Sequence, residues 1–540
     1  MKKLLVIALA LVLLLAGCST TPTTTTAGTT TGGTTTKQTT TAEPKFSLPA
    51  DGTVEIVIGT FDNWYSPASY NDNLAIFQEI QKDTGLKIVW DVVPPAQYAD
   101  AMRIRIAAGA QGLPDMINVP GGANAVQLGM DGILEPLNDL IATYAPYTSV
   151  LFAEDDVLMR LATAPDGNIY ALSSDVRGSA YANPFVVIAR GDWFEKLDVK
   201  VPTTVDEWTT ALRAFKAKDA NGNGLDDEIP ITASGWYNFA RTAEFWGLRS
   251  TYGSFYDVKD GKIVDQKFTP QYKEWLEWCA LLYSEGLLDS EIFNMNSDLL
   301  VTKINRNIVG AHVNFISNIP SYNNNLAASG ITAKYIPVAP VKGPYGHTTM
   351  DAYGPISGDF GITTDSKVKE YTMLLMDYIY ASPEGIRYCM FGVEGISYNM
   401  VDGKPVLTDF VLKNPDGKGS FEALRSLGSW PNVPYRQMAD AYNAILLAPN
   451  PDFVPFVEKV TPLTTFVDFP PMIRSTQEET DTVARYSADL NTYLNEMIAK
   501  FVTGEESFTN FDAFLTQLKA LGADEILKVN QAKYDRFSAD

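Results

Sequence analysis

Asp219 to Glu228 reads DANGNGLDDE, with oxygen-bearing side chains at alternate positions. Counting Asp219 as one, Asn221 is three, Asn223 five, Gly224 six, Leu225 seven and Asp227 nine. A calcium-binding EF-hand loop has this spacing because alternate residues of a tight loop face its centre. The seventh residue offers its carbonyl and a glycine at six makes the bend. Position twelve departs from the pattern, since Pro230 stands where a bidentate Glu belongs; Glu228, at ten, can supply that carboxylate. The expected ligands of one structural calcium ion are Asp219, Asn221, Asn223, the Leu225 carbonyl, Asp227 and Glu228. The alternative is an acidic Asn/Gly turn that holds no ion.

A second chemically marked residue is Cys18. It ends the leader MKKLLVIALALVLLLAGC, in which Lys2 and Lys3 precede an unbroken apolar run from Leu4 to Leu15. That run suits a signal-peptide core and is too short to span a bilayer comfortably. With Leu15, Ala16 and Gly17 before Cys18, the segment resembles the lipobox of bacterial lipoproteins. The resemblance implies cleavage before Cys18, lipidation of its thiol, and a body tethered to the outer face of the cell membrane by lipid alone. Residues 19–50 follow as a Thr-rich tether with too few apolar residues to form a core.

The remaining chemistry is bounded by composition. The chain has 540 residues, 46% of them hydrophobic, enough for more than one domain. A net charge of −22 repels nucleic acid and anionic lipid, so neither is an expected partner. Only His312 and His347 are available for histidine chemistry. After Cys18 only Cys279 and Cys389 remain, both in apolar helical patterns and read as buried free thiols; a disulfide between them is not readable from spacing.

The body must position these residues with alternating strands and helices. Val54–Gly59, Leu86–Val93 and Pro114–Val119 read as strands, with helical periodicity over 70–84 and 97–108 between them. That alternation predicts βαβ units and a mainly parallel sheet. A second block starts near 182 with the strand Tyr181–Arg190. Thr204 caps a helix over VDEWTTALRAFKAKD, and further strands fall at 308–315, 334–341 and 359–364.

Three pieces of the body then carry a family resemblance: GDWFEKL (191–197) with Pro202 and Trp208, the acidic loop, and SPEGIRYCMFGVEGISYNMVDGKP (382–405). Together with the leader they resemble the extracellular solute-binding proteins of bacterial ABC importers, above all the sugar-binding group with alginate- and oligosaccharide-binding members. The resemblance implies an α/β, two-lobed, type II periplasmic-binding-protein fold with a hinge and a ligand cleft between lobes. One lobe is expected from 51–181 plus about 355–420. The other is expected from 182–354 plus about 421–540, with late helices packing on both. It also implies a monomer that delivers a carbohydrate to permease subunits. The calcium loop is implied too, with Glu in the place of Glu228.

Sugar recognition needs flat apolar faces for C–H surfaces and planar polar groups for hydroxyls. Such residues stand where strands end: Phe61-Asp62-Asn63-Trp64-Tyr65, Tyr170, Trp236-Tyr237, Asn314-Phe315, Tyr398-Asn399 and Trp430. Asp62, Trp64, Tyr170, Trp236, Phe315, Tyr398 and Trp430 are the candidate ligand contacts. Tyr170, Phe315 and Tyr398 match ring positions of the family, although relatives often carry Trp where Phe315 stands. Arg177, Asp351 and Arg436 are candidate polar partners, while Trp193, Trp208, Trp275 and Trp278 sit in helical patterns and read as core. Two other functions compete. A surface adhesin or co-receptor would bind without import. A glycoside hydrolase would need an acid/base pair of carboxylates, and no nucleophile elbow, HExxH or Walker loop supports an enzyme.

Overall fold

The structure is a computed structural model that describes residues 53–62, 68–121, 124–178, 182–250, 253–352, 356–466 and 473–539. The leader, Cys18, the tether and Trp64 lie outside the described residues. No helix among the described residues is long and apolar enough to cross a membrane.

Nine strands build the two principal sheets: β1 (Val54–Thr60), β2 (Leu86–Val92), β3 (Met116–Asn118), β4 (Leu172–Asp175), β5 (Phe185–Arg190), β6 (Ile229–Ala233), β7 (Val309–Phe315), β8 (Tyr335–Val338) and β9 (Ile356–Ile362). The first sheet has the order β2-β1-β3-β9-β4 and the second β8-β5-β7-β6. β1 pairs parallel with β2 and β3, and β6 pairs parallel with β7. β9 runs against both β3 and β4, and β5 against both β7 and β8. The sheets are therefore mixed rather than mainly parallel. Both β5 and β9 begin just after the chain has passed from one sheet to the other. They enter their new sheet from the facing edge and so run opposite to its βαβ strands.

Local sequence explains the elements. The helix Ala75–Thr84 buries Ile76, Phe77 and Ile80 against the first sheet. It ends at Gly85, whose φ of 66° lets its N–H reach the Gln81 carbonyl. Thr204 accepts from the Glu207 N–H at 3.2 Å and starts the helix Val205–Ala217, which packs Trp208, Leu212 and Phe215 inward. Trp193, Trp208, Trp275 and Trp278 are all buried in the second sheet's core, and Cys279 and Cys389 are both buried free thiols.

The chain passes between sheets twice, between Asp175 and Phe185 and between Val338 and Ile356. The second passage is pinned by ions: Asp351 accepts from Arg249 Nη1 at 2.5 Å and from the Ser250 N–H at 3.2 Å. The tail after residue 421 is divided. Residues 427–437 bond to the first half: the Asn432 N–H donates to the Tyr70 hydroxyl, and the Asp175 N–H to the Tyr435 carbonyl. The helix Gln477–Thr503 instead joins the second core through Met497, Phe501 and Val502. The last helix, Ala523–Ser538, reaches both halves. Its Gln531 side chain bonds the Ile263 N–H and the Gly261 carbonyl, while the Phe537 carbonyl accepts from Arg160.

Candidate ligand-binding site

Strands β1, β3, β6 and β7 all end facing the space between the sheets, and β5 and β9 begin there. In α/β folds this edge is where ligands bind. A cavity of about 670 Å³ occupies it, within the roughly 300–1,000 Å³ typical of small-molecule sites. Phe61 follows β1, Asn118 ends β3, Ser234 follows β6, Asn314 and Phe315 end β7, and Phe185 opens β5; all six line the cavity. The segment 421–442 closes one side with Phe421, Arg425, Trp430, Tyr435 and Tyr442.

Two aromatic groups face this space. Phe315 meets Phe185 edge to face at 4.8 Å. Trp430 is held between Tyr442 at 4.8 Å and Phe421 at 5.0 Å, and its backbone takes a left-handed φ of 59°. Such a φ is costly outside glycine; here the Trp430 N–H bonds the Cys389 carbonyl, which fixes the turn and aims the indole inward.

Amides supply the polar wall. Asn314 Oδ1 accepts from Asn318 Nδ2 at 3.0 Å and from the Phe315 N–H, while its Nδ2 donates to Tyr322. Asn183 Oδ1 accepts from the Ser317 N–H, and Asn238 Nδ2 donates to Ser234. Gln437 Nε2 donates to Tyr435 and its Oε1 accepts from the Tyr442 hydroxyl. Side chains locked this way present fixed donors and acceptors at little ordering cost. Burial raises the Tyr435 and Tyr98 phenols well above their ordinary range, so both stay neutral hydrogen-bonding groups. Among the described residues that line it, Arg425 is the one charged side chain and none is a carboxylate. The arrangement offers rings for apolar faces and amides for hydroxyls.

Of the predicted contacts, Phe315 and Trp430 line this cavity, and four others lie elsewhere. Asp62 is turned to its own loop, accepting from the Tyr70 N–H at 2.8 Å and from the Ser69 hydroxyl. The Tyr170 ring packs against Gly129 so tightly that a Cβ there would sit 2.1 Å from it, and its hydroxyl donates to Asp166. Trp236 stacks on Phe293 at 5.0 Å as part of the second core. Tyr398 is buried beside Phe391. Arg177 and Arg436 pair with Asp175, and Asp351 with Arg249. The lining residues missed are mainly asparagines: Asn118, Asn183, Asn238 and Asn318. Their signal was position, within five residues of a strand end, rather than type.

The acidic loop lies apart from the cavity. Asp219 (φ 44°), Gly222 and Gly224 take left-handed conformations that close it. Asp219 accepts from the Asn223 and Gly224 N–H groups, and Asp227 from the Asn221 and Asn223 amides. Glu228 is buried; Oε1 accepts from the Asn221 N–H, and Oε2 has no hydrogen-bond partner. Among the described residues no three His, Cys, Asp or Glu side chains gather as a metal cluster. The donor set fits calcium in chemistry, with hard oxygens throughout and one orphaned buried carboxylate oxygen.

Comparison with known proteins matches residues 68–385 to the family described as bacterial extracellular solute-binding protein. The fructooligosaccharide ABC transporter substrate-binding protein FusA of Streptococcus pneumoniae is 25% identical over 493 residues, 88% of this chain and 89% of FusA. Lipoprotein LipO of Bacillus subtilis is 24% identical over 86% of this chain and 89% of its own. Among solved structures, alginate-binding protein AlgQ2 without calcium ion superposes with a TM-score of 0.76 at 25% identity, covering 90% of this chain and 99% of AlgQ2. FusA in complex with kestose gives 0.74 at 23% identity, with the same coverage, and FusA has also been solved as an EF-hand mutant.

Proposed function

Because the chain belongs to the bacterial extracellular solute-binding proteins, we propose that it captures an oligosaccharide in the cavity between its two sheets and hands it to the permease of an ABC importer. The observation that carries this reading is the cavity wall itself. Phe315 and Trp430 face a ring of asparagine amides with a single charged residue, Arg425. Stacking and planar hydrogen bonding together suit a polyhydroxylated ligand. FusA, solved in complex with kestose, supports the class. The family and FusA are binding proteins of transporters, which supports binding rather than hydrolysis.

The two halves, 53–175 with β9 and β5–β8 with the helix Gln477–Thr503, act as lobes that close on the ligand by bending the two passages. Cys18 carries lipid and holds the protein as a monomer at the outer face of the cell membrane; the relationship to a lipoprotein, LipO, supports this. One calcium ion sits in the loop Asp219–Glu228 as a structural support.

A thermal-shift screen against neutral and acidic oligosaccharides of two to five units tests the ligand class. A ligand that binds only the native state raises the melting temperature by mass action. A rise with at least one oligosaccharide is expected. Silence across the screen, with a shift from a peptide library, contradicts the reading. Mass spectrometry of the membrane fraction should find Cys18 as the acylated first residue; an unmodified Cys18 contradicts the anchor.

A further inference from the structure

Beside the cavity lies a second recess of about 380 Å³. Val119, Gly121, Ser357 and Gly358 line both, so the two spaces adjoin. Unlike the main cavity, the recess is built around buried charge.

Three cations and two carboxylates meet at its back. Arg474 donates to both oxygens of Asp359, at 2.6 and 2.8 Å, and to the Leu161 carbonyl. Burial pushes the Asp359 carboxyl up, but the adjacent Arg474 guanidinium outweighs it and holds the group below the ordinary carboxylate range. Arg536 donates to both oxygens of Glu479, at 2.9 and 2.8 Å, and Glu479 also accepts from the Thr476 N–H. Each guanidinium is thus matched by one carboxylate. The third cation, Lys533, is not. It is 8% exposed and lines the recess, yet among the described residues no carboxylate lies within ion-pair distance and no group bonds its amine. Burial pushes its ammonium down to about 8; Glu479 opposes this, while Arg536 and Arg474 add to it. An ammonium on a buried stem, open only to the recess and without a counter-ion, is stabilised by an anion that reaches it there.

We propose that the recess is an acidic subsite, in which the Lys533 ammonium pairs with a carboxylate carried by a uronic-acid unit of the saccharide held in the main cavity. This rests on the carbohydrate reading above and narrows it. Asn124, Ser173, Ser357 and Ser475 surround the same space with polar side chains, which suits a carboxylate with hydroxyls beside it. The Asp359–Arg474 pair keeps a guanidinium at the wall while cancelling its charge, so Lys533 alone sets the preference.

The test is calorimetric titration, at pH 6.5, of trisaccharides of galacturonate, mannuronate and guluronate, each beside its carboxyl-reduced neutral counterpart. Acetate and inorganic phosphate form a third arm. At least one uronate is expected to bind about tenfold or more tighter than its neutral partner, the gain of one charge-assisted bond. Lys533→Met should bring that ratio to about one, and Lys533→Arg should keep it; melting curves establish that each variant is folded. Neutral trisaccharides binding as well as every uronate would overturn the subsite and leave the carbohydrate reading intact. So would a uronate preference that survives Lys533→Met. Acetate or phosphate binding that depends on Lys533, with no uronate preference, would make the recess a free-anion site. No saccharide binding in any arm would remove both readings.

Discussion

His312 is one buried side chain that contributes to the pH response of the fold. It sits on β7 fully buried, edge-on to Tyr322 and Tyr335 at 5.2 and 5.3 Å, with neither ring nitrogen hydrogen-bonded. Burial pushes its pKa down to about 3. The native state therefore stays neutral where the unfolded chain, near 6.5, takes up a proton. The stability contribution is complete above pH 6.5 and is lost as pH falls toward 3, at up to about 1.4 kcal/mol per unit. Melting temperatures measured from pH 7 to pH 4 should fall less steeply in His312→Phe than in the unaltered protein; parallel curves would contradict the assignment. Single residues also mark where sequence reading runs out. Tyr170 and Trp430 each follow a turn, yet one ring fills the gap over Gly129 and the other faces the cavity. The difference lies in tertiary neighbours, which local pattern does not encode.

Elements were far more legible than side-chain destinations. Hydrophobic period located the strands Val54–Thr60, Leu86–Val92 and Val309–Phe315 and the helix Val205–Ala217 to within a few residues. The cap at Thr204 and the four helical tryptophans were readable because capping and amphipathic burial are local or periodic. The antiparallel direction of β5 and β9 was not, because it follows from where the chain re-enters a sheet. The loop Asp219–Glu228 carries the prediction proper to an element. If it holds calcium, adding the ion to chelated protein should raise the melting temperature by on the order of a few degrees. Glu228→Gln, which removes the charge behind the orphaned oxygen, should reduce that rise. Identical curves with calcium and with chelator would contradict the site.

The two halves and their shared tail together decide what the protein does. Val176 and Asn183, on the first passage, line the cavity, and the last helix bonds to each half through Gln531 and the Phe537 carbonyl. The architecture followed from the family resemblance. The cavity's asparagine-rich wall did not, since Asn118 and Asn183 come together only when the sheets face each other. The central claim is that one oligosaccharide binds between the sheets and leaves unchanged. It is tested most directly by isothermal titration of an oligosaccharide that raises the melting temperature, using the unaltered protein and Phe315→Ala. The account predicts one site per chain, affinity lower by about tenfold in the variant, and ligand recovered intact. Equal affinity in Phe315→Ala, or a cleaved ligand, would contradict it.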